Sequence, residues 1–186
     1  MIKGFFFDLD GTLVDTHRAN FEAYRRALAD IGVLVTWEMF EKSIGHQAKV
    51  FLRWFAPDLS DEEYSHIGEQ KSEYYKKLIH LSKLNSRLIH FVDAMRPNHS
   101  IVLVTSAKHK NALEVLKYHN IVEVFDHIIT AEDVENPKPS PEGYRMGLLK
   151  TKLSASEVIA FEDSDTGIRA AESAGIAVVQ IKDFSI

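Results

Sequence analysis

The chain of 186 residues contains no cysteine. That excludes a disulfide framework, a thiolate metal site and a cysteine nucleophile. It fits a reducing compartment, and a cytoplasmic location is the expectation. No stretch approaches the roughly 18 apolar residues that a membrane-spanning helix needs. The opening Met1-Ile2-Lys3-Gly4-Phe5-Phe6-Phe7-Asp8 does not read as a signal peptide, because its apolar run is short and ends in an acid. Blocks of one charge sign are missing too. With a net charge of −5 and no basic patch, neither nucleic acid nor an anionic membrane is an expected partner. Internal repeats and low-complexity segments are absent. What remains is ordinary for a globular protein, 45% hydrophobic and 26% charged. The length allows one domain with a smaller insertion.

The most informative stretch is Phe5-Phe6-Phe7-Asp8-Leu9-Asp10-Gly11-Thr12. Ile2 to Leu9 reads as a buried strand that ends in two acids one residue apart. Gly11 suggests that the backbone turns there. Two carboxylates closing a buried strand repel each other, and a divalent metal or a shared proton would compensate.

Beyond Asp15 the period becomes helical. Phe21, Tyr24, Leu28 and Ile31 share a face, and Gly32 ends the pattern. Trp37 to Ile44 is expected as a short helix closed by Gly45. His46 to Phe55 is another, apolar on more than one face and therefore expected to be well buried. Ser60-Asp61-Glu62-Glu63 opens a long helix running to about Leu84. Lys71 interrupts its apolar row of Tyr64, Ile67, Tyr74, Leu78 and Leu81. Its stem could lie on the core with the amine in water, or its face could look into a polar cleft. Residues 15–83 thus read as helical, without a convincing strand.

Strands and helices then alternate. Strands are expected at Ser100–Thr105, Asp126–Thr130, Val158–Phe161 and Ala177–Ile181. Helices are expected at Arg87–Met95, Asn111–Tyr118, Pro141–Lys150 and Thr166–Ala174. This order specifies an α/β fold: a Rossmann-like parallel sheet with helices on both faces and an inserted all-helical cap after the first strand. The expected division is 1–14 with 84–186 as the core and 15–83 as the cap. Ligands of such sheets sit beyond the carboxyl ends of the strands. Asp8, Asp10, Thr105, Ser106, Glu162 and Asp163 should therefore share one edge, with the insert following the first strand as a lid.

Four acids on one edge require a cation. Mg²⁺ takes about six oxygen ligands and often binds together with phosphates. A carboxylate there can attack phosphorus and a second can manage protons. Thr105 and Ser106 can hold phosphoryl oxygens. Lys138, fixed between prolines in Asn136-Pro137-Lys138-Pro139, can balance the anionic charge.

Four motifs in order, Asp8-Leu9-Asp10-Gly11-Thr12, Val104-Thr105-Ser106, Lys138-Pro139 and Glu162-Asp163-Ser164, resemble those of haloacid dehalogenase superfamily phosphatases. The similar subgroup includes beta-phosphoglucomutase and phosphoglycolate phosphatase. The resemblance implies that Asp8 is the nucleophile and a Mg²⁺ ligand. Asp10 would be the general acid/base and lend its carbonyl to the metal. Thr105 and Ser106 would bind the phosphoryl group, Lys138 would neutralise charge, and Asp163 with Glu162 would complete the metal site. It also places Gly11, Thr12, Lys108 and, in the helical insert, Asn20 and Lys71 among the phosphate- or substrate-binding positions. His109 is a further candidate to face the substrate. The implied partner is a small phosphorylated metabolite, and the implied state is a monomer or weak homo-oligomer.

The pattern departs from the mutases, which carry Val where Thr12 stands, His where Asn20 stands and a cap Arg where Ala48 stands, with Lys49 beside it. It departs from the dehalogenases and phosphonatase-like members, which lack the second Asp. Where the cap returns to the core, the family's usual Pro-Gly is replaced by Leu84-Asn85-Ser86-Arg87. Many members also continue with another strand and helix beyond the position of Ile181. The expected function is a Mg²⁺-dependent phosphatase acting through an aspartyl phosphate. The alternatives are a sugar-phosphate mutase of the same family or a non-catalytic binding protein on this fold. A phospho-accepting receiver fits less well, since receivers have no helical insert after the first strand.

Overall fold

The computed structural model describes residues 1–44, 48–182 and 184. The chain forms two compact units. One comprises Met1–Asp15 with Lys83–Ile186, the other Thr16–Ser82.

The first unit is built on five parallel strands: β1 (Gly4–Phe7), β4 (Ser100–Val104), β5 (His127–Ile129), β6 (Val158–Glu162) and β7 (Ala177–Gln180). They lie in the order β5-β4-β1-β6-β7, so the sequence-first strand is central. Phe6 aligns with Val102 and Ala160, while Phe5 and Phe7 align with Ile101 and Leu103 on one side and Ile159 and Phe161 on the other. Alternation then sorts these residues by face. Phe6, Val102, Val104 and Ala160 pack with Tyr144 of α7 (Glu142–Thr151) and Ala170 and Ala171 of α8 (Asp165–Ser173). Gly147 of α7 lets that helix approach closely, since a Cβ there would lie 2.6 Å from the Phe6 ring. On the opposite face Phe5 and Phe161 meet Phe91 of α5 (Ser86–Met95) with centroids 5.0 and 5.5 Å apart. The expected parallel sheet covered on both faces is therefore present.

The first strand is shorter than its apolar run suggests. It stops at Phe7, and the peptide N–H groups of Thr12, Leu13 and Val14 all turn back to the Leu9 carbonyl. Asp8 still donates its N–H to the Phe161 carbonyl at 3.0 Å, so it stays in line with the sheet.

A second, two-stranded ribbon pairs β2 (Val14–Asp15) with β3 (Lys83–Leu84), antiparallel. This corrects the expectation of a strandless 15–83 and of a helix running to Leu84. Its strands have two residues each and leave no periodic trace, and their pairing spans the whole insert.

The second unit is helical: α1 (His17–Ala29), α2 (Trp37–Glu41), α3 (Ala48–Phe55) and α4 (Asp61–Leu78), followed by a 3₁₀ turn at Ile79–Leu81. Its core joins Phe21, Leu28, Val35, Phe40, Phe51, Leu52, Tyr64 and Ile67. The predicted capped start of α4 is present, with Ser60 and Glu63 exchanging hydrogen bonds. The expectation that the 46–55 helix is well buried is corrected. Phe51 and Leu52 are buried, but Val50 and Trp54 are 43% and 49% exposed. A short helix packed on one side buries one stripe, whatever its other positions carry. Gly45, His46 and the side chain of Lys49 lie outside the described residues. No described helix is long and apolar enough to cross a membrane.

Candidate active site

The strand order places the loops after β1 and β6 beside each other while their chains leave in opposite directions. Such a divergence opens a crevice at the carboxyl ends of the two strands. Asp8 follows β1, Glu162 ends β6, and Asp163 follows it. Each offers a carboxylate oxygen within 4.8 Å of the others. Glu162 is completely buried and Asp8 nearly so.

Local sequence fixes each of these groups. Gly11 has φ +92, and a Cβ on it would overlap the Asp163 carboxylate, so a glycine is required on both counts. Thr12 donates its hydroxyl to Asp163 Oδ1 at 3.2 Å. Gly167 plays the same part for the neighbouring acid, since a Cβ there would overlap the Glu162 carboxylate. Ser164 caps α8 by accepting from the Gly167 N–H at 3.1 Å, and its hydroxyl lies 3.5 Å from Glu162 Oε2.

Lys138 ties the cluster together. Its Nζ donates to Asp8 Oδ1 at 2.6 Å, Glu162 Oε1 at 2.6 Å and the Val104 carbonyl at 2.8 Å. All three ammonium hydrogens are thus used, and the lysine cannot swing without losing partners. The Lys138-Pro139 peptide is cis. The loop before it is held by Glu142, whose carboxylate accepts from the N–H groups of Glu135 and Asn136 at 2.7 and 2.9 Å.

The electrostatics follow from this geometry. Burial pushes the Asp8 carboxyl well above its usual range; Lys138 opposes that, and Glu162 and Asp163 add to it. Burial favours loss of the Lys138 proton, but Asp8 and Glu162 outweigh it and hold the amine charged well above the ordinary lysine range. Lys138 thus pairs with Asp8 and Glu162, and the Asp163 carboxylate is grouped with those two acids. The donor set is all oxygen and carries excess negative charge, which fits a hard divalent cation and gives no foothold to a soft one.

The other predicted positions fall as follows. Asp10 lies half-buried in the Leu9–Val14 turn, its backbone bridged to Val14. Thr105 is buried at the end of β4 and accepts from the Ala107 N–H at 3.0 Å, which bends the chain sharply there. Ser106 and Lys108 are exposed on that bend, Lys108 immediately before α6 (His109–Tyr118). His109 is held by its N–H to Glu132 at 2.6 Å. A small cavity of about 20 Å³ lies against Thr105, Ser106, Thr130 and Lys138.

Asn20 and Lys71 belong to the helical unit. Asn20 donates to Thr16 Oγ1 at 3.1 Å. The Lys71 amine lies 5.0 and 4.4 Å from the ring centroids of Tyr24 and Tyr75, within cation–π range. Its amine therefore lies against aromatic surface of that unit.

Sequence reasoning missed Tyr144 and Glu142. Tyr144 is fully buried and donates to Glu162 Oε1 at 2.6 Å. Burial, then the Glu162 and Asp8 charges, push its phenol well up, so it remains a donor. In sequence it reads as one more apolar position of α7, and nothing local marks it as polar in function.

A family model described as haloacid dehalogenase-like hydrolase matches residues 5–181. A phosphorylated carbohydrates phosphatase of Thermotoga maritima is 30% identical over 175 residues, covering 91% of this chain and 80% of that protein. The solved structure of beta-phosphoglucomutase from Clostridium difficile superposes with a TM-score of 0.83 at 28% identity, covering 99% of this chain and 86% of that one. A predicted phosphoglycolate phosphatase from Haemophilus somnus shares the fold, with a TM-score of 0.89 at 23% identity over 100% of this chain and 88% of its own.

Proposed function

The chain belongs to the haloacid dehalogenase-like hydrolase family, and on that premise we propose that it is a Mg²⁺-dependent phosphatase of a small phosphorylated metabolite. The observation that carries the reading is Asp8. It is a buried carboxylate at the end of the central strand, 2.6 Å from the Lys138 amine and grouped with two further acids.

Asp8 and Asp163 would hold the ion, with Glu162 reaching it directly or through water and the Asp10 carbonyl beside them. When bound, Mg²⁺ supplies the positive charge that keeps Asp8 ionised and offsets charge on phosphate. An Asp8 carboxylate oxygen forms a bond to phosphorus while the bond to the leaving oxygen breaks. Asp10 gives its proton to that oxygen. It then takes a proton from water, whose oxygen attacks phosphorus, releasing phosphate and restoring Asp8. Thr105, through its hydroxyl, and Ser106, through its N–H, bind the transferring group. Gly11 and Thr12 let the backbone approach it, and Lys138 neutralises it. Lys108 stands at the same edge as a candidate substrate contact. Residues 15–83 take the part of the substrate-selecting cap, with Asn20 and Lys71 as its candidate contacts.

The relative from Thermotoga maritima supports a phosphorylated carbohydrate as the first substrate class to screen. The test is phosphate release from an aryl phosphate, with Mg²⁺ and with the ion chelated. Release that depends on Mg²⁺ is expected. A folded protein that releases nothing from a broad panel of phosphate esters contradicts the reading.

A further inference from the structure

We infer that Tyr144 is a positioning residue for Lys138, acting through Glu162. The inference rests on the phosphatase reading above for its kinetic consequences, and on hydrogen bonding alone for its geometry.

The Glu162 carboxylate is completely buried, and Oε1 accepts twice, from Lys138 Nζ and from Tyr144 Oη, each at 2.6 Å. Its other oxygen has the 3.5 Å contact to Ser164, and its far side is closed by Gly167. Lys138 in turn divides its hydrogens between Glu162, Asp8 and Val104. The pull of Glu162 on the lysine therefore competes with the pull of Asp8. A phenol donating to Oε1 withdraws charge from that oxygen and weakens its claim on the amine. Without the phenol, Glu162 has one strong donor left and draws Lys138 toward itself, away from Asp8 and the phosphoryl group it serves. The Tyr144 ring lies 5.4 Å from Nζ, so hydroxyl and ring both face the same charged pair. No water-filled route is needed, because every contact is direct. The tyrosine thus acts on the reaction from behind the acid, without touching substrate.

Tyr144→Phe removes one hydroxyl and keeps the ring in the core. Outer-sphere partners of charged site groups typically matter by about 10- to 100-fold. The variant is expected to lose about tenfold in kcat and in kcat/KM together, as for an interaction realised in the transition state. Inhibition by orthovanadate should weaken by a similar factor. The Lys138 ammonium signal in a ¹H–¹⁵N spectrum, assigned by its loss in Lys138→Met, should shift or broaden. A purely structural tyrosine would lower the melting temperature and leave the vanadate constant of folded protein unchanged.

Wild-type kcat and vanadate inhibition in the variant overturn the inference and leave the phosphatase reading standing. If the wild type releases no phosphate with Mg²⁺, the phosphatase reading fails instead, and the ammonium signal decides. A shifted signal in Tyr144→Phe upholds the positioning role, and an unchanged one overturns it. Should Tyr144→Phe fail to fold, 3-fluorotyrosine at 144 keeps ring and hydroxyl while altering donation. An unmoved Lys138 signal then counts against the inference.

Discussion

The two units solve different problems. The α/β unit buries charge: Asp8, Glu162 and Lys138 sit within 2.6 Å contacts, and every partner is a specific atom. The helical unit buries rings. Phe21, Phe40 and Phe51 pack with Trp37 and Tyr24 in edge-on and tilted pairs, with centroids from 5.0 to 6.5 Å apart. Apolar packing is non-directional and tolerates substitutions of similar volume. A buried ionic cluster is sensitive at each member, since removing one charge leaves its partners uncompensated. On the proposed reading, the chemistry would fall to the unit whose geometry is fixed atom by atom, and variation in what is recognised to the other.

The largest expected effect breaks the chemistry alone. Asp8→Asn should cost at least about 10³-fold in phosphate release. Its far-UV circular dichroism should match the wild type.

Two losses of similar size then separate the units. Lys138→Met strands two buried carboxylates and should cost about 3–5 kcal/mol in urea unfolding. Phe40→Ala opens a cavity and should cost about 3–5 kcal/mol as well. Measured against the wild type at the same Mg²⁺ concentration, millimolar Mg²⁺ should restore part of the first loss and none of the second. Equal rescue of both, or of neither, would remove the distinction.

A smaller effect concerns the loop. Glu142→Ala frees the N–H groups of Glu135 and Asn136. By the about 10-fold lower bound for outer partners, kcat should fall by roughly that factor or less. The melting temperature should hardly move, since the carboxylate is on the surface.

The smallest lies far from the site. Glu157 accepts from Lys3 at 2.6 Å and from the Ser154 N–H, and its carboxyl is held down at about 2 against an ordinary 4.5. A depressed acid stabilises the fold above its unfolded value, and that contribution is lost as pH falls from about 4.5 through about 2. Glu157→Gln should lower the melting temperature slightly near neutrality, where the contribution is present in full, and flatten the acid limb of melting temperature against pH within that window.

How much of this was legible beforehand follows the same division. The sheet was legible because buried parallel strands are continuous apolar runs, as in Phe5-Phe6-Phe7 and Ile101-Val102-Leu103-Val104. The acids were legible because they close those runs abruptly. The ribbon of Val14–Asp15 with Lys83–Leu84 was not, since two-residue strands have no period and their pairing is remote. Leu84 instead continued a helical spacing that ends at Leu78. The exposure of Val50 and Trp54 was hidden because composition cannot say which side of a short helix finds a neighbour. Tyr144 was hidden for the opposite reason. A buried aromatic on a helix is what a core predicts, and its hydroxyl becomes visible only when Glu162 is placed beside it.

The central claim is that Asp8 carries the phosphoryl group. Acid-quenched turnover followed by borohydride reduction converts an aspartyl phosphate to homoserine, which peptide mass spectrometry locates. The account predicts homoserine at position 8 in the wild type with Mg²⁺. Turnover with an unmodified Asp8, or with homoserine at another position, would contradict it.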